Sequence, residues 1–170
     1  GKPGRAMDRF RRAVELDGTS PDYHFNLGQA YYLFRDVAQE KYGWSLEEVY
    51  QHALEESRRG SELKPNDFEL ARDYAMTFLG AESFGVTPDW AKARAAWKRC
   101  RALAENNERL FTILLYMARV ELRAGAPADA RKYAEEALVL RPGNAVAQRL
   151  IELSGAGEKT DTPTTGGLER

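Results

Sequence analysis

Apolar residues recur along this chain at the three- and four-residue steps of an α-helix. Between Trp90 and Ala104 they fall at Trp90, Ala93, Trp97, Cys100 and Ala104, all on one helical face. Lys92, Arg94, Lys98, Arg99 and Arg101 take the remaining directions, so the opposite face is wet. Starts and stops punctuate the pattern. Ser20-Pro21 and Thr87-Pro88 each pair a capping hydroxyl with a first-turn proline, where no amide donor is needed. Ser45-Leu46-Glu47-Glu48 has the spacing of a capping box. Pro65 and Pro142 follow helices that end near Leu63 and Leu140. The pattern predicts eight helices, near 3–16, 21–41, 46–63, 67–81, 88–104, 108–124, 127–140 and 144–154. No segment shows sustained two-residue alternation, so no strand is predicted. From Ser154 the apolar period stops, and 154–170 reads as a flexible tail or linker.

Comparing the chain with itself reveals a repeat. Gly1-Lys2-Pro3-Gly4-Arg5-Ala6 resembles Gly125-Ala126-Pro127-Ala128-Asp129-Ala130, and each opens a helix ending alike, at Leu16 and Leu140. Equivalent ends at Leu63 and Leu103 make the leucine spacings 47, 40 and 37 residues. The preceding helices share a large-small-large pattern: His24-x2-Leu27-Gly28-x2-Tyr31, Ala71-x2-Tyr74-Ala75-x2-Phe78 and Leu114-x2-Met117-Ala118-x2-Glu121. Such spacing lets two helices approach at the small residue while the large ones interlock. The alternate helices carry Ala6-x3-Phe10-x2-Ala13, Ala53-x3-Ser57-x2-Gly60, Ala93-x3-Trp97-x2-Cys100 and Ala130-x3-Ala134-x2-Ala137.

With these motifs the chain resembles the tetratricopeptide repeat (TPR) family, whose units run W-x2-L-G-x2-Y, A-x3-F and P over about 34 residues. The resemblance spans Gly1 to about Leu153. It implies an all-α, right-handed superhelical solenoid of about three and a half repeats. The units lie near 1–20, 21–67, 68–110 and 111–144, with a capping helix over 145–153. Gly1 aligns with the turn inside a repeat, so the chain is expected to be an excised piece of a longer protein.

Two departures from the family pattern stand out. Twenty-two residues separate Tyr31 from Ala53, where nine separate Glu121 from Ala130. That surplus predicts a hairpin lengthened by about two turns per helix, projecting from the array with Tyr42 and Trp44 at its tip. The bland alternative is that Trp44 and Phe84 pack against each other or a neighbouring repeat. A second surplus lies around Ala81–Val86.

Family members bind partners on a concave surface lined by the first helix of each pair. Carried over residue by residue, the resemblance implies Phe25, Asn26, Gln29 and Tyr32, then Arg72, Asp73 and Met76, then Leu115, Tyr116, Arg119 and Arg123. Aromatics beside arginines suit a protein or peptide ligand. Members that clamp a C-terminal carboxylate use Lys, Asn and Arg there. Only Asn26 matches, so a chaperone-tail adaptor is disfavoured.

Composition adds exclusions. The 170 residues carry 25 Lys+Arg against 26 Asp+Glu, a formal charge of −1, which gives no global pull toward nucleic acid. The local stripe of Arg94, Lys98 and Arg101 lies on a second helix, which the family places outside, so nucleic acid is disfavoured. No apolar run reaches the ~18 residues of a membrane span. His24 and His52 lie away from the lone Cys100 in sequence and repeat phase, so no nucleophile–base pair is formed. Glu48, His52, Glu55 and Glu56 share a helical face, but a solvated face with i,i+4 electrostatics is the simpler reading than a metal site. No enzyme activity, cofactor or metal is expected; cytoplasm and periplasm both stay open. The expected function is a protein-interaction scaffold. The alternative is a structural or homo-oligomeric module packing through its first helix or long hairpin, and a third, less favoured reading is a regulatory domain of a larger enzyme.

Overall fold

The computed structural model describes residues 3–157. Among these are nine α-helices and no strand: α1 (Pro3–Leu16), α2 (Pro21–Leu33), α3 (Arg35–Tyr42), α4 (Leu46–Leu63), α5 (Phe68–Gly80), α6 (Trp90–Ala102), α7 (Asn107–Arg123), α8 (Pro127–Leu140) and α9 (Ala145–Gly157). A 3-10 turn, Ala81–Phe84, follows α5. Two compact units divide the chain, residues 1–104 and 105–170.

Helix starts follow side-chain capping of free amides. Ser45 and Glu48 form the reciprocal box: Ser45 Oγ accepts from the Glu48 amide at 3.1 Å and Glu48 Oε2 from the Ser45 amide at 2.8 Å. Asp67 caps α5 through the amides of Glu69 and Leu70, and Asn106 caps α7 through that of Arg109. The proline start at Thr87-Pro88 is corrected. Asp89 caps α6 instead, accepting from the Lys92 amide at 3.0 Å, and Pro88 is buried before the helix. A charged carboxylate one residue from the helix wins over a hydroxyl three residues away.

In the first unit α2 lies along α4 at unusually short range. A Cβ on Gly28 would come 3.2 Å from the Ala53 carbonyl oxygen, 3.2 Å from the Ser57 nitrogen and 3.1 Å from Ser57 Oγ. From the other helix, a Cβ on Gly60 would come 3.1 Å from the Pro21 carbonyl oxygen. Two glycines therefore let the backbones meet, and Leu27 and Tyr31 interlock around them, both buried. His24 closes the upper end: its Nδ1 lies 2.6 Å from Glu56 Oε2 and its Nε2 lies 3.0 Å from the Gly18 carbonyl. Next, α5 packs on α4, where Thr77 Oγ1 donates to Ser57 Oγ at 3.5 Å, and α6 packs on α5; Ala71, Ala75 and Phe78 of α5 and Ala93, Trp97 and Cys100 of α6 are all buried. Arg99 ties α6 back to the end of α4, donating to Ser61 Oγ, the Ser61 carbonyl and the Pro65 carbonyl.

The single helix expected over 21–41 is two. Phe34 leaves the helical region (φ −115°, ψ 41°), and α3 starts afresh at Arg35. This break corrects the projecting hairpin as well: α3 folds back on α1 and α4. Lys41 Nζ meets Asp8 Oδ2 at 2.7 Å, and Tyr42 donates to Asp8 Oδ1. Trp44 stacks on His52 with ring centroids 3.8 Å apart, touches Tyr42 and Tyr31 at 4.6 and 5.4 Å, and receives the Arg11 guanidinium nearby. Burying Met7 of α1 in one cluster with these rings is worth more than an extended hairpin in water. Tyr42 and Trp44 thus pack, partly buried, against the core cluster of the first unit. Phe84, buried at the second surplus, rests on Tyr32 and Tyr50, and joins the same apolar cluster.

In the second unit Ala118 of α7 and Ala134 of α8 are fully buried where their helices meet, and α9 packs on both through Ala147 and Leu150. α9 continues to Gly157, and Ser154 within it is buried, its hydroxyl donating to the Ile151 carbonyl. The start of the expected tail is therefore helical; its remainder, 158–170, and the Gly1 position lie outside the described residues.

Gly28 offers a test of the short approach. Gly28→Ala sets a tight Cβ against about 1 kcal/mol of gained helix propensity, so its stability should stay near wild type. Gly28→Val adds two methyls that cannot fit, and should lose about 2–3 kcal/mol in urea unfolding. Equal stability of the two variants would refute the packing.

Candidate functional site

The first helices leave one side open. On α2, His24, Leu27, Gly28 and Tyr31 face α4, which turns Phe25, Gln29 and Tyr32 sideways toward α5. There they meet Arg72, Asp73 and Met76 around a hollow of about 410 Å³, completed by Leu33, Glu69 and Thr77. Gln29 Nε2 donates to Asp73 Oδ1, joining the two helices across the floor. Thr77 Oγ1 donates to the Asp73 carbonyl at 3.0 Å. Burial pushes the Asp73 carboxyl above its usual range, opposed by hydrogen bonds from Ser57 and Gln29 and by Arg72. Arg72 pairs with Glu69 at 2.6 Å on the rim.

An equivalent hollow lies between α7 and α9, at about 570 Å³. Arg119, Leu122 and Arg123 line it from α7, and Ala145, Val146, Arg149, Leu150 and Leu153 from α9.

No protein-family model and no curated protein matches the sequence. Solved structures do resemble it. MamA aligns with a TM-score of 0.67 at 16% identity, covering 91% of this chain and 72% of that one. TTC0263, a thermophilic TPR protein of Thermus thermophilus, gives a TM-score of 0.56 at 19% identity, over 91% of this chain and 72% of that one. Pseudomonas aeruginosa PilF gives 0.58 at 17% identity, over 98% and 70%. The fold is TPR-like. Identities this low carry the fold alone.

In TPR-like terms α2, α5 and α7 are first helices, α4, α6 and α8 their partners, and α9 stands where another first helix would. Six of the predicted lining residues, Phe25, Gln29, Tyr32, Arg72, Asp73 and Met76, share the α2–α5 hollow. Arg119 and Arg123 belong to the α7–α9 hollow. Asn26 does not join the first group: it is exposed and its Nδ2 donates to the Asp22 carbonyl. Leu115 is half-buried against the apolar clusters of the second unit, and Tyr116 sits beside the Arg119 guanidinium, 5.4 Å from its ring. The α9 residues are missing from the predicted set because a capping helix contributes no groove. The period at Val146, Leu150 and Leu153 carries the signal that could have found them.

The candidate chemistry is otherwise engaged. Cys100 is fully buried, and its thiol is pushed up to about 12 by that burial, far from a nucleophile's range. Glu48 caps α4, Glu55 pairs with Arg58 and Arg59, Glu56 meets His24, and His52 stacks on Trp44. No group of three or more metal-ligating side chains occurs among the described residues, and no helix there is long and apolar enough to cross a membrane.

Asp73 yields a pH prediction. Its folded pKa is raised, so the fold favours the protonated form; its contribution is best at low pH and is lost as pH rises through the folded pKa. Asp73→Asn, which keeps an acceptor for Gln29, should raise the melting temperature more near pH 7 than near pH 4. A gain that is equal at both pH values, or larger at pH 4, would contradict the assignment.

Proposed function

We propose that the chain is a non-catalytic interaction module that receives a peptide or partner segment on its first helices. The observation that carries this is the α2–α5 hollow. Aromatic and thioether surface from Phe25, Tyr32 and Met76 lies beside polar groups that fix orientation, Gln29, Asp73 and Arg72. That mixture, a few anchors with a polar rim, is what concentrates binding energy in small areas. The second helices bury their small residues in the stack, which leaves the first helices as the faces free to bind.

A random 15-residue peptide library selected against the full chain provides ligands for the test. Phe25→Ser/Met76→Ser should weaken selected peptides at least about tenfold, which is about 1.4 kcal/mol, with circular dichroism unchanged. Binding that ignores this pair and follows Lys98→Glu on α6 would overturn the reading.

A second reading rests on α1. Ala6, Phe10 and Ala13 are half-buried, whereas their counterparts Ala93, Trp97 and Cys100 are fully buried beneath a first helix. We infer that a second copy covers this face at high concentration. Sedimentation should show a dimer that Ala13→Glu dissociates; a monomer at every concentration removes this reading. Trp44→Ala is not a suitable probe, because Trp44 holds the fold of the first unit.

A further inference from the structure

The α7–α9 groove differs in chemistry from the α2–α5 hollow. Its floor is aliphatic: Leu122, Val146, Leu150 and Leu153. Val146 and Leu153 are 42% and 43% exposed, so the floor meets water directly. The charged residues that line it are all cations, Arg119 and Arg123 on α7 and Arg149 on α9. In the α2–α5 hollow, by contrast, Glu69 and Asp73 offset the one cation, Arg72.

The stripes have a register. Arg119 and Arg123 stand four apart along α7, and Val146, Leu150 and Leu153 stand four and three apart along α9. Each set therefore lies on one side of its helix. The groove thus carries Arg119 and Arg123 along its α7 side and Val146, Leu150 and Leu153 along its α9 side. Arg149 bonds Glu152 at 2.9 Å, but that i,i+3 pair is well exposed on both sides and contributes little, so an incoming carboxylate can replace it.

We propose that this groove docks an acidic amphipathic helix of a partner protein. This rests on the interaction-module reading above and gives its second unit a ligand class. A helix with apolar residues at i, i+3, i+4 and i+7 would set them on the α9 floor. Carboxylates on its flank would meet the paired guanidinium forks of α7. At about 570 Å³ the space holds side chains from one face of such a helix. A second copy of this chain is disfavoured, because its own groove would bring arginines against arginines. Nucleic acid is disfavoured too, since a phosphate backbone offers nothing to an aliphatic floor.

The test uses the full chain and two labelled 18-residue helical peptides followed by fluorescence anisotropy. Both carry leucine at i, i+3, i+4 and i+7; one has glutamate and the other lysine at the flanking positions. The glutamate peptide should bind and weaken severalfold between low and high salt. Arg119→Glu/Arg123→Glu should weaken it at least tenfold and admit the lysine peptide, a gain that misfolding cannot produce. Val146→Asp should weaken both combinations. Phe25→Ser/Met76→Ser should leave the glutamate peptide unaffected.

Equal binding of the two peptides to the wild-type chain would overturn the proposal. So would dependence on Phe25 and Met76 in place of the arginines, which would leave the interaction-module reading standing. Displacement of the glutamate peptide by a DNA duplex, or a dimer lost on the arginine exchange, would reassign the groove to nucleic acid or a second copy. If neither these peptides nor any library peptide binds the chain, both readings fall.

Discussion

The backbone contact between α2 and α4 governs the first unit. Gly28 and Gly60 spare the contact two Cβ atoms that would sit tightly, 3.1–3.2 Å from the facing chain, and each lies against backbone atoms there. Helices this close can interlock Leu27 and Tyr31 with Ala53 and Ser57, all of them buried. The same contact fixes how α2 is rotated. With His24, Leu27, Gly28 and Tyr31 committed to α4, Phe25, Gln29 and Tyr32 must point toward α5, where the hollow forms. Packing and binding surface are two consequences of one helical phase.

The extra chain between the first and second helices of the long repeat packs back onto the first unit. Its turn at Phe34 lets α3 lie over α1, and the Tyr31, Tyr42, Trp44 and His52 rings form a continuous aromatic group beneath Arg11. The Asp8–Lys41 pair at its edge is solvent-exposed and contributes little by itself, so the rings carry the attachment. Length added to a repeat can thus be spent on packing against a neighbouring helix.

Much of this was legible in the chain. The large-small-large pattern located Gly28, Ala75 and Ala118 at helix contacts, because a small residue between large ones has one packing solution. Ser45 and Glu48 announced a helix start because the box is local. The Phe34 break was not legible: no proline or glycine marks it, and it follows from tertiary packing of α3 on α1. Asp89 outcompeted Thr87 for the cap of α6, a contest between two plausible neighbours. The lining residues of the α2–α5 hollow were legible through the repeat register, whereas Asn26 was lost to a hydrogen bond with its own helix. Val146, Leu150 and Leu153 were hidden by reading α9 as an end rather than as another first helix.

Partner binding on the first helices, with the second helices holding the stack, is open to a direct measurement. Amide-resolved nuclear magnetic resonance on the full chain, titrated with a peptide selected against it, separates the two sets of helices. Perturbed amides are predicted on α2 and α5, or on α7 and α9, with the exposed Lys98, Arg101, Lys132 and Glu135 of α6 and α8 unmoved. Shifts centred on those four residues, with the first helices silent, would contradict the account.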